Sequence, residues 1–382
     1  MKVLITTNVP SPYRVDFFNE LGKYSDLTVT FQKHASSERD KSWKNYKFDN
    51  FNAVFLKGVS IRVDQAFCFG YKKLLKNNYD VICSMDCGTP SGAIFANYMA
   101  KKGITFYIET DGCFYSEPKT FKQKLKFKIK KKFYGKAAGC FASCLNSRKS
   151  FMSLGVEEGK IINYPFTSLF EKDLLPSPIT DDEKEKYKKE LNLSGNKIVL
   201  AVGQFIERKG FDVLIKAAKN LGGGVKVCFV GGVPTQEYID LVKSLNLNNI
   251  EFIGFTQKEE LKKYYRAADV FVLPTREDIW GLVVNEAMAN ALPVITTDMC
   301  VAGLELIKDG ESGYIVPALD DLKLAERLRE VLLDDKKRLE FSANSLKAIR
   351  PYTIENMAKV HLAAWESALN GENIKKTFDK KF

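Results

Sequence analysis

Short runs of apolar and β-branched residues alternate with segments of helical periodicity along most of the chain. The runs Val3–Thr7, Leu27–Phe31, Val81–Ser84, Thr105–Glu109, Gly139–Ser143 and Ile161–Tyr164 read as strands. They are apolar almost throughout rather than alternating. That marks strands buried on both faces, as in parallel sheets covered by helices. A helix is expected from about Tyr13 to Lys23, with Phe17, Phe18 and Leu21 on one side. The pattern then breaks: Pro176, Ser177, Pro178 and the charged run Asp181–Lys186 read as a linker with a short helix. A second series follows, with strands at Ile198–Val202, Lys226–Val230, Ile250–Ile253, Val270–Leu273, Val294–Thr297 and near Tyr314–Val316. Beyond Pro351, Thr353–Leu369 reads as a solitary amphipathic helix, and the residues after Gly371 as a frayed tail. Two doubly wound α/β domains of comparable size are therefore expected. In such sheets ligands bind beyond the carboxyl ends of the strands.

Charge sharpens this picture. The 382 residues carry 58 Lys and Arg against 47 Asp and Glu, a formal charge of +11. Between Pro118 and Val156 there is no acidic residue but eleven basic ones. Setting those aside leaves 47 basic against 47 acidic residues, so the isoelectric point near 9.0 belongs to one segment. That distribution excludes a surface coated for nucleic acid. The abundance of Phe and Tyr excludes a disordered chain. Of the eight Cys (68, 83, 87, 113, 140, 144, 228 and 300), five have apolar or small neighbours. No tight CxxC occurs and only His34 and His361 offer imidazoles, so reduced thiols in a cytosolic compartment are expected and no metal site. No run of 18 apolar residues is present, and the N-terminus reads as a first strand rather than a signal peptide.

Two loops carry candidate chemistry. In Val272-Leu-Pro-Thr-Arg-Glu-Asp278-Ile279-Trp280-Gly281-Leu282-Val-Val-Asn-Glu286, a strand ends at Pro274 and a helix begins near Gly281. Amides at a helix start suit an anion, and Asp278 and Glu286 beside it suit sugar or ribose hydroxyls. On spacing alone, a capping carboxylate and an exposed Glu fit equally well. In Leu200-Ala-Val-Gly203-Gln-Phe-Ile-Glu-Arg208-Lys209-Gly210, a strand runs through a glycine into adjacent cations. These would neutralise a diphosphate as a nucleotide departs, although an ordinary helix-entry turn also fits.

Taken together with Phe229-Val-Gly-Gly232, Phe252-Ile-Gly254-Phe255, Tyr265-Arg-Ala-Ala-Asp-Val-Phe-Val-Leu-Pro274, Pro293-Val-Ile and Asp309-Gly-Glu-Ser-Gly313-Tyr, these loops follow a family order. Over about Ile198–Pro317 the chain resembles glycosyltransferase family 4. The resemblance implies a GT-B fold: two facing Rossmann-like, doubly wound domains with the C-terminal helix crossing back to the N-terminal domain. The boundaries expected are 1–170 plus about 352–370 for the acceptor-side domain, 171–196 for the linker, and 197–351 for the nucleotide-sugar domain.

The resemblance also implies a retaining transferase that uses a nucleotide-sugar, UDP- or GDP-linked with UDP preferred, and needs neither metal nor cofactor. By resemblance Asp278 contacts donor-sugar hydroxyls, Glu286 the ribose, and Ile279, Trp280, Gly281 and Leu282 the sugar or phosphate. Lys209 matches the diphosphate-binding Lys, and Arg208 must serve where Gln204 replaces the family's Arg after Gly203. Gly254 and Phe255 border the base. Asn8-Val-Pro-Ser-Pro12-Tyr13-Arg14 resembles a Pro-x-Pro-Tyr-Arg variant, with Arg14 facing the diphosphate across the cleft. Many members carry a His after the strand ending at Glu109; here Asp111 is the candidate. The catalytic set expected is Asp111, Arg208, Lys209 and Asp278.

The basic segment begins at Ser116-Glu-Pro118, a helix-start signal. Phe121, Leu125, Ile129 and Phe133 then recur every four residues among lysines, a pattern suited to anionic lipid. A solvated lysine face over an inward-packing stripe, and a period-two strand over Lys124–Lys130, remain open alternatives. The chain is thus expected to be a cytoplasmic enzyme peripheral to the inner face of the cytoplasmic membrane. Its partners would be a nucleotide-sugar, a glycan or lipid-linked acceptor and an anionic membrane through 118–136, in cell-surface polysaccharide synthesis. A same-fold sugar-nucleotide epimerase and an inactive glycan- or membrane-binding module are the rival readings.

Overall fold

The computed structural model describes residues 1–34, 47–62 and 64–372; most of the tail expected after Gly371 lies outside them. The chain divides into two compact units, Met1–Ser168 with the C-terminal stretch from Tyr352, and Leu169–Pro351.

The first unit runs β1 (Lys2–Thr7), α1 (Pro12–Gly22), β2 (Asp26–Phe31), β3 (Asn52–Phe55), β4 (Gly58–Arg62), β5 (Gln65–Cys68), α2 (Tyr71–Leu74), β6 (Val81–Ser84), α3 (Pro90–Lys102), β7 (Tyr107–Thr110), α4 (Phe121–Tyr134), β8 (Gly139–Ala142), α5 (Leu145–Ser153) and β9 (Ile161–Asn163). Seven strands form a parallel sheet in the order β3-β2-β1-β6-β7-β8-β9. The antiparallel hairpin β4–β5 stands apart from it. Val3, Leu4 and Ile5 of β1 are fully buried, as apolar strands covered on both faces must be.

The second unit runs α6 (Asp181–Glu190), β10 (Lys197–Val202), α7 (Phe211–Ala218), β11 (Val225–Val230), α8 (Gln236–Ser244), β12 (Ile250–Ile253), α9 (Lys258–Ala267), β13 (Val270–Leu273), α10 (Leu282–Ala289), β14 (Val294–Thr297), α11 (Val301–Leu306), β15 (Gly313–Val316), α12 (Asp321–Leu333) and α13 (Asp335–Ile349). Its six parallel strands are ordered β12-β11-β10-β13-β14-β15. The chain winds outward from β10 through β11 to β12, then returns to start again at β13. The switch point therefore lies between β10 and β13, and their carboxyl-end loops form its crevice.

Helix α14 (Ile354–Leu369) packs on α1 in the first unit. Ile354, Met357, Ala358, His361, Ala364 and Trp365 are buried and recur every three to four residues, one stripe of a 3.6-residue helix. Thr353 caps its start by accepting from the Asn356 amide at 3.2 Å.

Three expectations are revised. The segment read as a linker is part of the second unit: Lys184 and Lys188 of α6 are buried against Asp269, at 3.2 and 2.8 Å. Burial works to lower the Lys184 pKa, and the Asp269 carboxylate opposes that. Helix α4 starts after Thr120, whose hydroxyl accepts from the Gln123 amide while Gln123 Oε1 accepts from the Thr120 amide, so the Ser116–Pro118 signal is not the start. A continuous helix also replaces the period-two alternative. The apolar stripe divides: Phe133 is buried and Phe127 packs inward, whereas Phe121, Leu125 and Ile129 are 82%, 50% and 45% exposed.

Candidate functional site

The loops after β10 and β13 are locked together by backbone contacts. Gly210 has a φ of 67°, and a Cβ there would lie 2.0 Å from the Pro274 carbonyl oxygen, so only glycine lets the loops touch. The Arg276 amide and the Thr275 hydroxyl both donate to the Arg208 carbonyl at 2.8 Å. Arg276 forks onto Asp212 with two 2.8 Å bonds, and this holds the Asp212 carboxyl below its ordinary value despite burial. A third loop braces the second: the Asp278 amide donates to the Met299 carbonyl at 2.8 Å, and the Val301 amide to the Asp278 carbonyl at 3.1 Å.

This scaffold brings together the cations and the carboxylate that the sequence singles out. Lys209 Nζ donates to Asp278 Oδ2 at 2.7 Å, each side chain only 13% exposed. Arg208 Nη1 lies 3.4 Å from Asp278 Oδ1 and donates to the Glu277 carbonyl at 2.8 Å. Gln204 is exposed in the turn ahead of them. Gly203 lies beside Lys209: a Cβ there would stand 3.4 Å from Lys209 Cε.

Gly281, with a φ of 98°, precedes α10, and the Val284 amide closes on its carbonyl at 2.8 Å. Trp280 is an internal anchor, its buried indole N–H donating to Asn285 Oδ1 at 2.9 Å. Ile279 is exposed and Leu282 half-buried. Glu286, fifth in α10, accepts from the Tyr265 hydroxyl at 2.9 Å. Burial pushes its carboxyl above the ordinary value, and the Tyr265 hydrogen bond opposes the shift. Gly254 and Phe255 follow β12 at the sheet edge, with the Phe255 ring exposed.

The first unit departs from expectation. Pro12 opens α1, and Arg14 one turn in is not a free cation. Its Nη1 donates to Glu109 Oε1 at 2.5 Å and its Nη2 to Asp111 Oδ1, with the guanidinium buried. The carboxylates of β7 and the loop after it claim the charge that sequence reasoning assigns to a ligand. The Tyr13 hydroxyl donates to Asp111 Oδ2 at 2.9 Å. Asp111, 39% exposed, is the member of this cluster that reaches the surface.

Sequence reasoning missed Tyr265, Glu109 as a partner, and His361. The helical spacing of His361 within Thr353–Leu369 was its one available signal. The eight Cys are free thiols, seven of them buried. Among the described residues no group of three or more His, Cys, Asp or Glu is placed to hold a metal ion. No helix among them is long and apolar enough to cross a membrane.

Residues 182–348 match the family model for glycosyl transferases group 1. A Campylobacter jejuni N,N'-diacetylbacillosaminyl-diphospho-undecaprenol alpha-1,3-N-acetylgalactosaminyltransferase is 25% identical over 306 residues, covering 79% of this chain and 81% of that one. The Staphylococcus aureus capsular polysaccharide biosynthesis glycosyltransferase CapM is 31% identical over 170 residues, 44% of each chain. Anabaena HepE, solved in complex with UDP, superposes with a TM-score of 0.76 at 16% identity, over 96% of this chain and all of that one. These findings support a GT-B glycosyltransferase. The residues matched by the family model span α6 to α13 and so include the whole Arg208–Lys209–Asp278 cluster.

Proposed function

We propose that the chain is a retaining glycosyltransferase moving a sugar from a nucleotide-sugar, UDP-linked in preference to GDP-linked, to a glycan or lipid-linked glycan in cell-surface polysaccharide synthesis. The observation that carries this reading is the half-buried contact of Lys209 and Arg208 with Asp278 at the switch point beside the start of α10. In the chain alone, Asp278 is the counter-ion of both cations. A donor diphosphate takes that place, and the released Asp278 carboxylate accepts from the sugar hydroxyls. As the sugar–phosphate bond breaks, Lys209, Arg208 and the α10 amides take the charge growing on the diphosphate. Side-chain cations thus supply what a metal would otherwise give. Glu286, held by Tyr265, accepts from the ribose, and Gly254 and Phe255 border the base.

Attack comes from the same face, with the departing phosphate taking the acceptor's proton and Asp111 on the acceptor side. The relative's lipid-linked acceptor in C. jejuni supports the acceptor class. Screening UDP- and GDP-hexoses and N-acetylhexosamines for thermal stabilisation tests the reading, followed by transfer onto a polyprenyl-diphosphate-linked N-acetylhexosamine. The expected result is stabilisation by one UDP-sugar and acceptor-dependent release of UDP. Acceptor-independent conversion of the sugar would instead identify an epimerase, and binding without transfer an inactive module.

The same reading places the enzyme on the inner face of the cytoplasmic membrane through 118–136. Phe121, Leu125 and Ile129 form an exposed apolar line on α4, flanked by exposed Lys122, Lys124, Lys126, Lys128 and Lys132. Each lysine near an anionic surface is worth about 1 kcal/mol, so reversing Lys124, Lys126 and Lys128 to Glu is expected to weaken binding to phosphatidylglycerol vesicles by more than about 100-fold. Co-sedimentation at low and high salt checks this. Binding indifferent to anionic lipid and to salt would overturn it.

A further inference from the structure

Helix α14 returns a histidine to the strand that leads to Asp111. His361 is fully buried, stacked on Phe141 at 4.1 Å between ring centres and edged by Phe17, Tyr164 and Trp365. Its Nδ1 lies 2.7 Å from the Met357 carbonyl oxygen and its Nε2 3.0 Å from Glu109 Oε2. The other Glu109 oxygen accepts from Arg14, which also donates to Asp111. Four side chains from α14, β7, α1 and the loop after β7 thus form one connected chain, and its outer end is the exposed Asp111.

Both ring nitrogens face oxygen atoms, the Met357 carbonyl and the Glu109 carboxyl, so the ring is held at two edges. Burial disfavours the charged form of Glu109, but Arg14 and His361 outweigh it and hold the carboxyl at about 2, so Glu109 is a carboxylate that only accepts. The other titratable groups facing it are Cys83 and Tyr164, both pushed up by burial and therefore neutral. Tyr164 donates its hydroxyl to the Thr110 carbonyl at 2.8 Å.

We propose that His361 is a positioning residue for Asp111: the buried ring, set between the Met357 carbonyl and Glu109, fixes Glu109, Glu109 fixes Arg14, and Arg14 with Tyr13 aims the Asp111 carboxylate. The C-terminal helix thereby sets the geometry of an acceptor-side group more than two hundred residues earlier in the chain. This rests on the transferase reading for the use made of Asp111, whereas the hydrogen-bonded chain itself does not.

Histidine-selective ¹⁵N labelling of the full protein yields two ring spin systems, and His34→Gln assigns them. The His361 ring signals are expected to report a hydrogen bond at Nε2 and to shift in Glu109→Gln. His361 ring signals that are the same in the parent and in Glu109→Gln overturn the proposal. Transfer kinetics, with the UDP-sugar that best stabilises the protein, read the positioning. His361→Gln keeps an uncharged N–H donor and is expected to lower kcat about tenfold at unchanged donor KM. Added to Asp111→Asn it should cost nothing further, because both act through one carboxylate. Equal losses in both backgrounds would make His361 merely structural and overturn the assignment. If no nucleotide-sugar turns over, the transferase reading and the role of Asp111 fall together, while the ring signals still decide the link between His361 and Glu109.

Discussion

Lys209→Ala is expected to reduce sugar transfer by about 10²–10³-fold, chiefly in kcat, the scale on which loss of one preorganised group facing transition-state charge is felt. Lys209 Nζ sits 2.7 Å from Asp278 in a half-buried cluster, where a cation acts more strongly than in water. Charge on the diphosphate grows as the glycosidic bond breaks, so the loss should fall mainly on the transition state and less on donor binding. Arg208→Ala is expected to cost less, about tenfold, because its guanidinium is nearly half exposed and is screened by solvent. Lys209→Met keeps the stem that packs beside Gly203 and separates lost charge from lost packing. Turnover and UDP affinity by calorimetry check the pattern. Unchanged turnover in Lys209→Ala would remove the lysine from the mechanism.

The grouping of Arg208 and Lys209 with Asp278 in the second unit was legible in the sequence because each loop that carries them is local. Gly203, Arg208, Lys209 and Gly210 lie within one turn, and Asp278 to Glu286 within one strand-loop-helix passage. The apolar strand runs also fixed the doubly wound class, since parallel strands buried on both faces leave that mark. Arg14 shows where such reading fails. A basic residue two positions into a helix looks available to a ligand, but its partners stand 95 and 97 residues later, on β7 and just beyond it. His361 is hidden in the same way, because its meaning depends on which helix α14 packs against. The α6 lysines look like solvated linker charges until Asp269 is brought beneath them. The hairpin β4–β5 and edge strand β3 were missed because short, half-exposed strands leave no continuous apolar run. In α4 the four-residue spacing of Phe121, Leu125, Ile129 and Phe133 was visible. Which of these the fold would cover was decided by α3 and the core beneath.

Glu109→Ala is expected to destabilise the first unit by about 3–5 kcal/mol, the cost of breaking a buried ion pair by removing one partner. Arg14 and His361 would be left buried with Asp111 as the one remaining carboxylate of the chain. The effect should depend on acid in a defined direction. The Glu109 carboxyl is held at about 2 against an ordinary value of 4.5, a difference of about 3 kcal/mol in favour of the charged, folded form. A depressed carboxylate stabilises the fold above its unfolded value, and that stability drains away as pH falls from about 4.5 toward 2. The gap in unfolding free energy between the parent and Glu109→Gln, which leaves the shape but not the charge, should be widest above that window and narrow through it. Fluorescence of Trp365, buried in the first unit, follows that unit alone once Trp43→Phe and Trp280→Phe are introduced. A gap that stays constant across the window would mean that Glu109 is as readily protonated folded as unfolded. The charge chain from His361 to Asp111 would then lose its central link.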